Sequence, residues 1–477
     1  MSLTKNLIYQ TVYQILSIST PLITAPYLAR VLGAEQLGIF SYTTSIVAYF
    51  SLFAMLGTVN YGTRAIATVK DDIDKCSDTF WNIYVVQAFS SIVMLLAYCF
   101  YVINFVENNR SIFIIQGITL LTCLFDINWF FFGKEYFNIT VSRNIVVKLV
   151  TVLLILLCVK SSSDLYIYLL ILLTGSLVGN LILWLNLKNL LKHPVINYPS
   201  IIKHFKGNVL LFVPIIAISV YHVMDKTMLG YLSNFLQSGL YYNSDKIINI
   251  PICVLLGISN VMLPRMTSIL EGGNEQKFQI VFMHSLNLIT FLSIAMACGI
   301  TSVSAEFIPL FLGKGYDECV MLVVIFSPVL IIKGISNTIR IQYLIPQKKE
   351  AIFIKSTLIG ASVNLLFNYQ LIPIFGALGA VVSTMIAEFL SCLYLVFYIK
   401  NHIEFKRYMI DTCKYSIIGI LMIISVRYFH NYINDIDLLY QFILEVICGF
   451  LFLCICSFII LKKEQNNPIV LLIKSRL

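Results

Sequence analysis

Apolar stretches long enough to cross a lipid bilayer recur along the whole of this 477-residue chain. A spanning helix needs about 20 apolar residues, because the hydrocarbon core is about 30 Å thick and a helix rises about 1.5 Å per residue. Peptide groups find no water there, so spans must be helices or a closed barrel. The stretches are continuous rather than alternating, as in 443–461. The sequence therefore predicts an all-α polytopic membrane protein.

The composition agrees with a lipid environment. Hydrophobic residues make up 58% of the chain and charged residues 12%, whereas ordinary soluble domains are about one quarter charged. The first apolar stretch runs from Leu7 past Ala29, which is too long for a secretory signal, so it is predicted to be a retained first span. The 12 cysteines are scattered without a CxxC motif. They are interpreted as small apolar core residues, without disulfides or a metal site.

Breaks at charges, glycines and prolines divide the chain into about fourteen spans. The spans are predicted near 7–30, 38–60, 81–104, 112–132, 141–159, 165–186, 208–229, 240–262, 282–304, 318–340, 353–372, 376–399, 413–430 and 439–461.

The basic residues orient these spans, because lysine and arginine concentrate on the cytoplasmic side of a membrane protein. With both termini placed inside, 25 of the 33 basic residues lie in inner segments and 5 in outer segments. We therefore predict that both termini are cytoplasmic. The net charge of +9 is mainly this topology signal. It does not indicate a nucleic-acid partner, since the chain has no basic domain in water.

Two similar halves are indicated by glycines and arginines that recur in the same order. Gly38 precedes Arg64 by 26 residues, and Gly239 precedes Arg265 by 26 residues. Parallel six-helix repeats of this kind are typical of alternating-access transporters. The predicted domains are an N-terminal six-helix bundle, a cytoplasmic linker, a C-terminal six-helix bundle, and two added helices with a cytoplasmic tail. Their predicted bounds are 1–186, 187–207, 208–400 and 401–477.

Charges at membrane depth are the candidate functional groups, because each costs about 3 kcal/mol or more without a partner. The seventh span holds His222, Asp225 and Lys226, and the eighth holds Asp245 and Lys246. Asp225 with Lys246, or Lys226 with Asp245, would form a structural ion pair between neighbouring helices. Alternatively, the lysines line a cavity for an anionic substrate. A salt bridge that opens when substrate binds accommodates both interpretations.

Further charged residues lie at the ends or in the middle of other spans. Lys333 lies toward the inner end of the tenth span, and Glu388 lies in the middle of the twelfth as a candidate proton or cation site. The remaining candidates are at the rims, where snorkelling and solvation are the simpler explanations. They are Arg30, Arg64, Asp126 and Arg265.

Three motifs resemble those of a known family. They are Pro26-Tyr-Leu-Ala-Arg-Val-Leu-Gly33, Phe125-Asp-Ile-Asn-Trp-Phe-Phe-Phe-Gly-Lys-Glu-Tyr136, and Gly376-Ala-Leu-Gly-Ala380 followed by Glu388. The chain resembles Wzx-type O-antigen and capsule oligosaccharide flippases over most of residues 1–400. These proteins form the polysaccharide-transport branch of the multidrug/oligosaccharidyl-lipid/polysaccharide exporter superfamily.

The resemblance implies two pseudo-symmetric six-helix bundles around a cationic cavity, with two further C-terminal helices. It implies flipping of undecaprenyl-diphosphate-linked oligosaccharide from the cytoplasmic to the outer leaflet of a bacterial inner membrane. A polysaccharide polymerase and a chain-length regulator are the implied protein partners. No cofactor is expected, and H⁺ or Na⁺ coupling is left open. The expected cavity charges are Arg30, Lys226, Lys246 and Lys333; the expected coupling or gating acids are Asp225, Asp245 and Glu388; the expected cytoplasmic gate is Arg64, Asp126 and Arg265.

Two other functions compete with this one. A cation-coupled multidrug exporter of the same fold would favour acidic residues in its cavity, whereas Lys226, Lys246 and Lys333 favour an anion. A membrane polymerase or ligase would be expected to have a long outer loop with catalytic residues. The longest predicted outer loop, 305–317, has no convincing acid–base or nucleophile set. The sequence therefore favours a transporter over an enzyme.

Overall fold

The computed structural model describes residues 3–188, 190–192 and 196–461. The side chains of residues 3–19, 213–215, 217, 218, 220, 222 and 457–461 are excluded from this description. Seventeen α-helices account for nearly all described residues. They are α1 Leu3–Met55, α2 Thr58–Val69, α3 Ile73–Phe105, α4 Arg110–Gln116, α5 Ile118–Leu124, α6 Asn128–Gly133, α7 Phe137–Cys158, α8 Leu165–Leu185, α9 Tyr198–Leu232, α10 Phe235–Glu271, α11 Glu275–Leu312, α12 Asp317–Phe326, α13 Pro328–Thr338, α14 Glu350–Phe375, α15 Ala377–Ile399, α16 Phe405–His430 and α17 Leu438–Leu461.

The predicted all-helical, multi-pass class is confirmed. Twelve stretches of the described residues are long and apolar enough to cross a membrane. The first of them, Thr20–Val69, is 50 residues long and contains the second predicted span, 38–60, together with the end of the first. Its helix bends at Gly33, whose φ of 79° is a left-handed value that glycine adopts without strain. The seventh predicted span lies in α9.

The chain forms two compact units, Met1–Tyr231 and Leu232–Leu477, called unit 1 and unit 2 below. Helix α9 belongs to unit 1 except for its last residue. Polar contacts hold it there: Asn208 Nδ2 donates to Thr58 Oγ1 over 3.2 Å, and the Tyr61 hydroxyl lies 2.9 Å from His204 Nδ1. The linker predicted at 187–207 between two sequence repeats remains a prediction. By its contacts, α9 groups with the first half of the chain.

Unit 1 has an aromatic core built from the fourth-span motif. Trp129, Phe130 and Phe131 are completely buried against Phe80 and neighbouring aliphatic side chains. Helix α2 approaches α6 closely because Gly62 has no side chain: a Cβ there would lie 2.5 Å from the Trp129 ring. Small residues at such crossings let helix backbones approach in a membrane. The motif that carries the family resemblance is therefore a packing element.

Unit 2 has its core between α11, α15 and α16. Phe282 and Leu286 of α11 are completely buried in one cluster with Leu395 and Tyr408. Helices α16 and α17, the two predicted additions, both pack against α11. These last helices are therefore an integral part of unit 2.

The outward faces of the helices are apolar. On α7, Val146, Leu149, Leu153 and Leu157 are all exposed and follow one another at helical spacing. An exposed apolar stripe of this length is rare on a soluble monomer, whereas lipid tails would cover it in a membrane. The exposed surface therefore agrees with the multi-pass assignment.

Candidate functional site

Two charges that the sequence places on separate spans meet inside unit 2. Lys333 of α13 and Glu388 of α15 form an ion pair, with Nζ 3.5 Å from Oε1. The lysine side chain is 16% exposed and the glutamate side chain 4%. A buried charge needs such a partner, because the interior screens it poorly. The structure thus explains how both charges can exist at membrane depth.

A second cation lies beside this pair and was not among the predicted site residues. Helix α13 continues into a π-helical turn, Ile339–Leu344, which carries Arg340. One guanidinium nitrogen of Arg340 donates to Ser391 Oγ over 2.8 Å and to Ser356 Oγ over 3.3 Å. Its Nε is buried without a hydrogen-bond partner among the described residues. This group therefore retains an unused donor.

Sequence periodicity contained a signal for this arrangement. Arg340 follows Lys333 by seven residues, and Ser391 follows Glu388 by three, so each pair shares one helical face. Arg340 is one of the 25 basic residues that the predicted topology places in inner segments. We call Lys333, Arg340, Glu388, Ser391 and Ser356 the unit 2 polar cluster.

Asp245 and Lys246 lie on α10, also in unit 2. Asn249 Nδ2 donates to Asp245 Oδ1 over 2.6 Å, and the Lys246 ammonium lies 4.3 Å from the centre of the Tyr242 ring. Both side chains are partly buried. The predicted ion pairs, Asp225 with Lys246 and Lys226 with Asp245, would join unit 1 to unit 2. These pairs stay predictions.

The predicted residues of unit 1 differ in burial. Asp225 on α9 is buried, Lys226 is partly buried, and Arg30 on α1 is exposed. The next residue of α9, Thr227, lies 2.9 Å from Ser45 Oγ, which places this part of α9 against α1. The His222 side chain lies outside the described residues.

The predicted gate residues do not meet one another within either unit. Arg64 of α2 and Arg265 of α10 are exposed. Asp126 instead lies just before α6, where its Oδ1 accepts from the Asn128 backbone N–H over 2.9 Å and from the Asn128 side chain over 2.6 Å.

Asp126 belongs to a larger network that the sequence did not reveal. Arg143 of α7 donates to Asn128 Oδ1 over 2.6 Å and to Asn180 Oδ1 over 3.0 Å. Asn180 of α8 donates in turn to the Thr122 carbonyl over 2.9 Å. The network joins the helix break before α6 to α7 and α8. Through Asn128, this network gives Asp126 a structural role, whereas the sequence favoured a solvated carboxylate at the rim of the membrane.

The all-helical fold with its long apolar helices defines a multi-pass membrane protein. A family described as Polysaccharide biosynthesis protein matches residues 3–270. The chain belongs to this family.

Similar proteins agree with that assignment. The chain is 26% identical over 416 residues to a protein of Escherichia coli (strain K12) described as "Putative O-antigen transporter", covering 84% of this chain and 98% of that protein. A protein of Shigella dysenteriae with the same description is 25% identical over 389 residues, covering 79% of this chain and 94% of that protein.

Solved structures show the same fold. A structure described as lipid II flippase MurJ in an inward closed conformation matches with a TM-score of 0.74 at 16% identity, covering 96% of this chain and 99% of that one. An inward-facing multidrug resistance MATE family transporter of the MOP superfamily matches with a TM-score of 0.58 at 10% identity, covering 83% of this chain and 98% of that one. At these identities the likeness concerns the fold alone.

Proposed function

We propose that this protein flips undecaprenyl-diphosphate-linked oligosaccharide repeat units from the cytoplasmic to the outer leaflet, for O-antigen or capsular polysaccharide synthesis. The proposal rests on one observation above all: a chain of the polysaccharide biosynthesis family holds two cations, Lys333 and Arg340, seven residues apart in the apolar helical stretch Asp317–Leu344. The similar proteins described as O-antigen transporters support the same substrate class.

The chemistry of the substrate requires such cations. A diphosphate is multiply anionic, and leaving water is unfavourable for it unless positive groups replace its hydration. Arginine binds phosphate through several N–H donors in a fixed plane, and lysine adds a compact point charge. Arg340 has a buried, unpartnered Nε, and Lys333 is already held at membrane depth by Glu388. Both groups can therefore supply positive charge to a bound anion.

The Lys333–Glu388 pair also suggests how the site changes state. When an anion approaches, it competes with Glu388 for the lysine ammonium. Release of Glu388 frees this carboxylate to interact with a coupling cation, so that no uncompensated charge remains buried. In this proposal Glu388 is the coupling group for alternating access, and the pair closes again once the diphosphate leaves.

The other predicted residues complete the proposed cationic cavity. Arg30, Lys226 and Lys246 add positive charge, while Asp225 and Asp245 take part in coupling or gating. Arg64, Asp126 and Arg265 act at the cytoplasmic side. We further propose an inner-membrane location with both termini in the cytoplasm, and cooperation with a polymerase and a chain-length regulator. The reaction moves a lipid between leaflets and makes or breaks no covalent bond.

A cation-coupled multidrug exporter is the second candidate function. Its support is the fold shared with a MATE family transporter and the buried acid Glu388. An organic cation would need Glu388 free of Lys333, whereas the two are paired in the structure. The pairing therefore favours an anionic substrate.

Deletion of the gene followed by analysis of polysaccharide intermediates separates the two functions. We expect loss of surface polysaccharide and accumulation of lipid-linked repeat units on the cytoplasmic leaflet, both reversed by the unaltered gene. Lys333→Gln should fail to restore export, and Lys355→Gln, an exposed lysine of α14, is the matched control. Normal surface polysaccharide together with altered drug resistance would refute the proposal.

A further inference from the structure

Four polar side chains from three helices converge at one end of unit 2, away from the unit 2 polar cluster. Glu306 lies near the end of α11, and Arg427 and His430 lie in the last turn of α16. Glu445 lies in the second turn of α17, just after the connection from α16. We call these four residues the α11–α16–α17 cluster. The proposed transport does not use them.

Within the cluster, the imidazole of His430 stands between two carboxylates. His430 Nδ1 is 2.8 Å from Glu445 Oε1 and 3.4 Å from Glu306 Oε1. One donor atom from each of these three residues lies within 4.8 Å of the other two. An imidazole nitrogen and two carboxylate oxygens are thus held around one point by three separate helices.

Both carboxylates are buried and incompletely satisfied. The Glu306 side chain is 5% exposed and the Glu445 side chain is fully buried. In each, the second oxygen, Oε2, has no hydrogen-bond partner among the described residues. A buried carboxylate oxygen without a donor is strongly disfavoured. A bound cation would therefore stabilise both carboxylates.

The donor set identifies the class of occupant. Imidazole and carboxylate ligands suit divalent transition metals such as Zn²⁺ and Co²⁺, whereas Mg²⁺ and Ca²⁺ prefer oxygen donors alone. Ligands about 2.1 Å from a tetrahedral metal lie about 3.4 Å from one another. The Nδ1–Glu306 distance already has this value, and the Nδ1–Glu445 distance needs to widen by only about 0.6 Å.

Arg427 limits the charge of the cluster without blocking it. Its guanidinium donates to Glu306 Oε1 over 2.9 Å. Its side chain is 34% exposed and that of His430 is 27% exposed, so the cluster has a route to solvent. A divalent ion would neutralise both carboxylates. The guanidinium can remain on the outer lone pair of Glu306 as a neighbour of the ligand shell.

We propose that Glu306, His430 and Glu445 form a binding site for a single divalent transition-metal ion that fastens α16 and α17 to α11. The remaining coordination position faces the route to solvent beside His430. By the predicted topology this end of the helices faces outward, so the ion would be taken up from outside the cytoplasm. The proposal does not depend on the identity of the transported lipid.

Metal binding to the purified full-length protein tests this directly, without a transport assay. Zn²⁺ titrated by calorimetry should bind with one ion per chain at this site. Replacement of a ligand, in His430→Gln or Glu445→Gln, should weaken binding by at least about tenfold. His284→Gln, a partly buried histidine of α11, is the matched control and should bind as the unaltered protein does. Equal affinity in His430→Gln and the unaltered protein would overturn the proposal.

Two further measurements hold even if a ligand variant fails to fold. Co²⁺ bound to the unaltered protein should give the visible d–d absorption of a four-coordinate nitrogen–oxygen site, without a thiolate charge-transfer band. Such a band, or no absorption change, would overturn the proposal, since the chain also contains 12 cysteines. Arg427→Gln removes a competing cation and should bind Zn²⁺ at least as tightly. If it binds more weakly than His284→Gln, the four residues form only an ion-pair network.

Discussion

Exchanging the charges of Lys333 and Glu388 separates the structural role of this ion pair from its role in transport. The two side chains are 3.5 Å apart and nearly buried. Glu388→Gln alone leaves a buried ammonium without its carboxylate, and loss of one partner of a buried pair destabilises a protein by about 3–5 kcal/mol. Because Lys333 is 16% exposed, we expect a value of about 3 kcal/mol.

The double variant Lys333→Glu with Glu388→Lys keeps an ion pair between α13 and α15. We expect its free energy of unfolding to lie within about 1 kcal/mol of the unaltered protein, since the pair is rebuilt. The exchange nevertheless removes the ammonium from the face that carries Arg340. A charged hydrogen bond is worth about 1.5–3 kcal/mol, so transport should fall about 10-fold to 100-fold.

The stability assay must report on unit 2. All three tryptophans, Trp81, Trp129 and Trp184, lie in unit 1, so their fluorescence does not. Cys319 and Cys392 lie in unit 2 and are buried, and a thiol-reactive dye will label them only when this unit opens. Cys76 and Cys123 are also buried but lie in unit 1, so labelling is read separately at each cysteine. The midpoint on heating of labelling at Cys319 and Cys392 measures the stability of unit 2, and translocation of a labelled lipid-linked oligosaccharide in proteoliposomes measures transport.

The outcome distinguishes two accounts of the pair. A stable double variant with impaired transport supports a role for the Lys333 ammonium in binding the diphosphate. A stable double variant that transports normally would show that the pair only joins α13 to α15. In that case the assignment of Lys333 as a substrate-binding residue is wrong.

Three further predictions concern other parts of the chain. Arg340→Gln removes the 2.8 Å bond to Ser391 Oγ and should lower translocation about tenfold with little change in dye labelling. Gly62→Ala places a Cβ 2.5 Å from the Trp129 ring and should destabilise unit 1 by about 1–3 kcal/mol, measured by tryptophan fluorescence on unfolding. Asp72 caps α3, and the backbone N–H and ammonium of Lys75 hold the pKa of its carboxyl below the usual value. The stabilising effect of the Asp72 carboxylate is therefore fully present above the ordinary aspartate pKa, and it is lost as the pH falls through the lowered pKa. Asp72→Ala should thus speed amide hydrogen exchange at the start of α3 at neutral pH but not in acid.

Each of these predictions has a matched control. Lys355→Gln changes an exposed lysine and should leave translocation unchanged. Gly257→Ala, in α10 of unit 2, adds a Cβ with no atom within 4 Å and should leave the stability of that unit, read by labelling of Cys319 and Cys392, nearly unchanged. Asp71→Ala alters the exposed neighbour of Asp72 and should not affect exchange in α3. A control that behaves like its test variant contradicts the corresponding argument.

The fold was largely predictable from the sequence because continuous apolar stretches of about 20 residues are typical of helices that span lipid. Continuous runs such as 443–461 fall in helices, here α17. The grouping of α9 with unit 1 was not predictable. It depends on contacts such as Asn208 with Thr58, which lie 150 residues apart in sequence.

The candidate site was predictable only as separate charges. Hydropathy shows that Lys333 and Glu388 lie at membrane depth, but it cannot show that they are partners, since pairing depends on how α13 and α15 pack. Arg340 was missed because it stands at the predicted inner end of its span, where a basic residue is expected as a topology signal. The α11–α16–α17 cluster was missed for a related reason: Glu306 and Glu445 belong to helices far apart in the chain, and neither carries a local motif.

Translocation by the purified protein tests the central claim most directly. The full-length chain is reconstituted in liposomes with an undecaprenyl-diphosphate-linked oligosaccharide on one leaflet, and a sugar-modifying enzyme outside reports which leaflet holds the lipid. We predict that the lipid reaches the opposite leaflet faster with the unaltered protein than with Lys333→Gln, and that Lys355→Gln matches the unaltered protein. Movement no faster than in protein-free liposomes, in the presence of any ion gradient tested, would contradict the proposed flippase function.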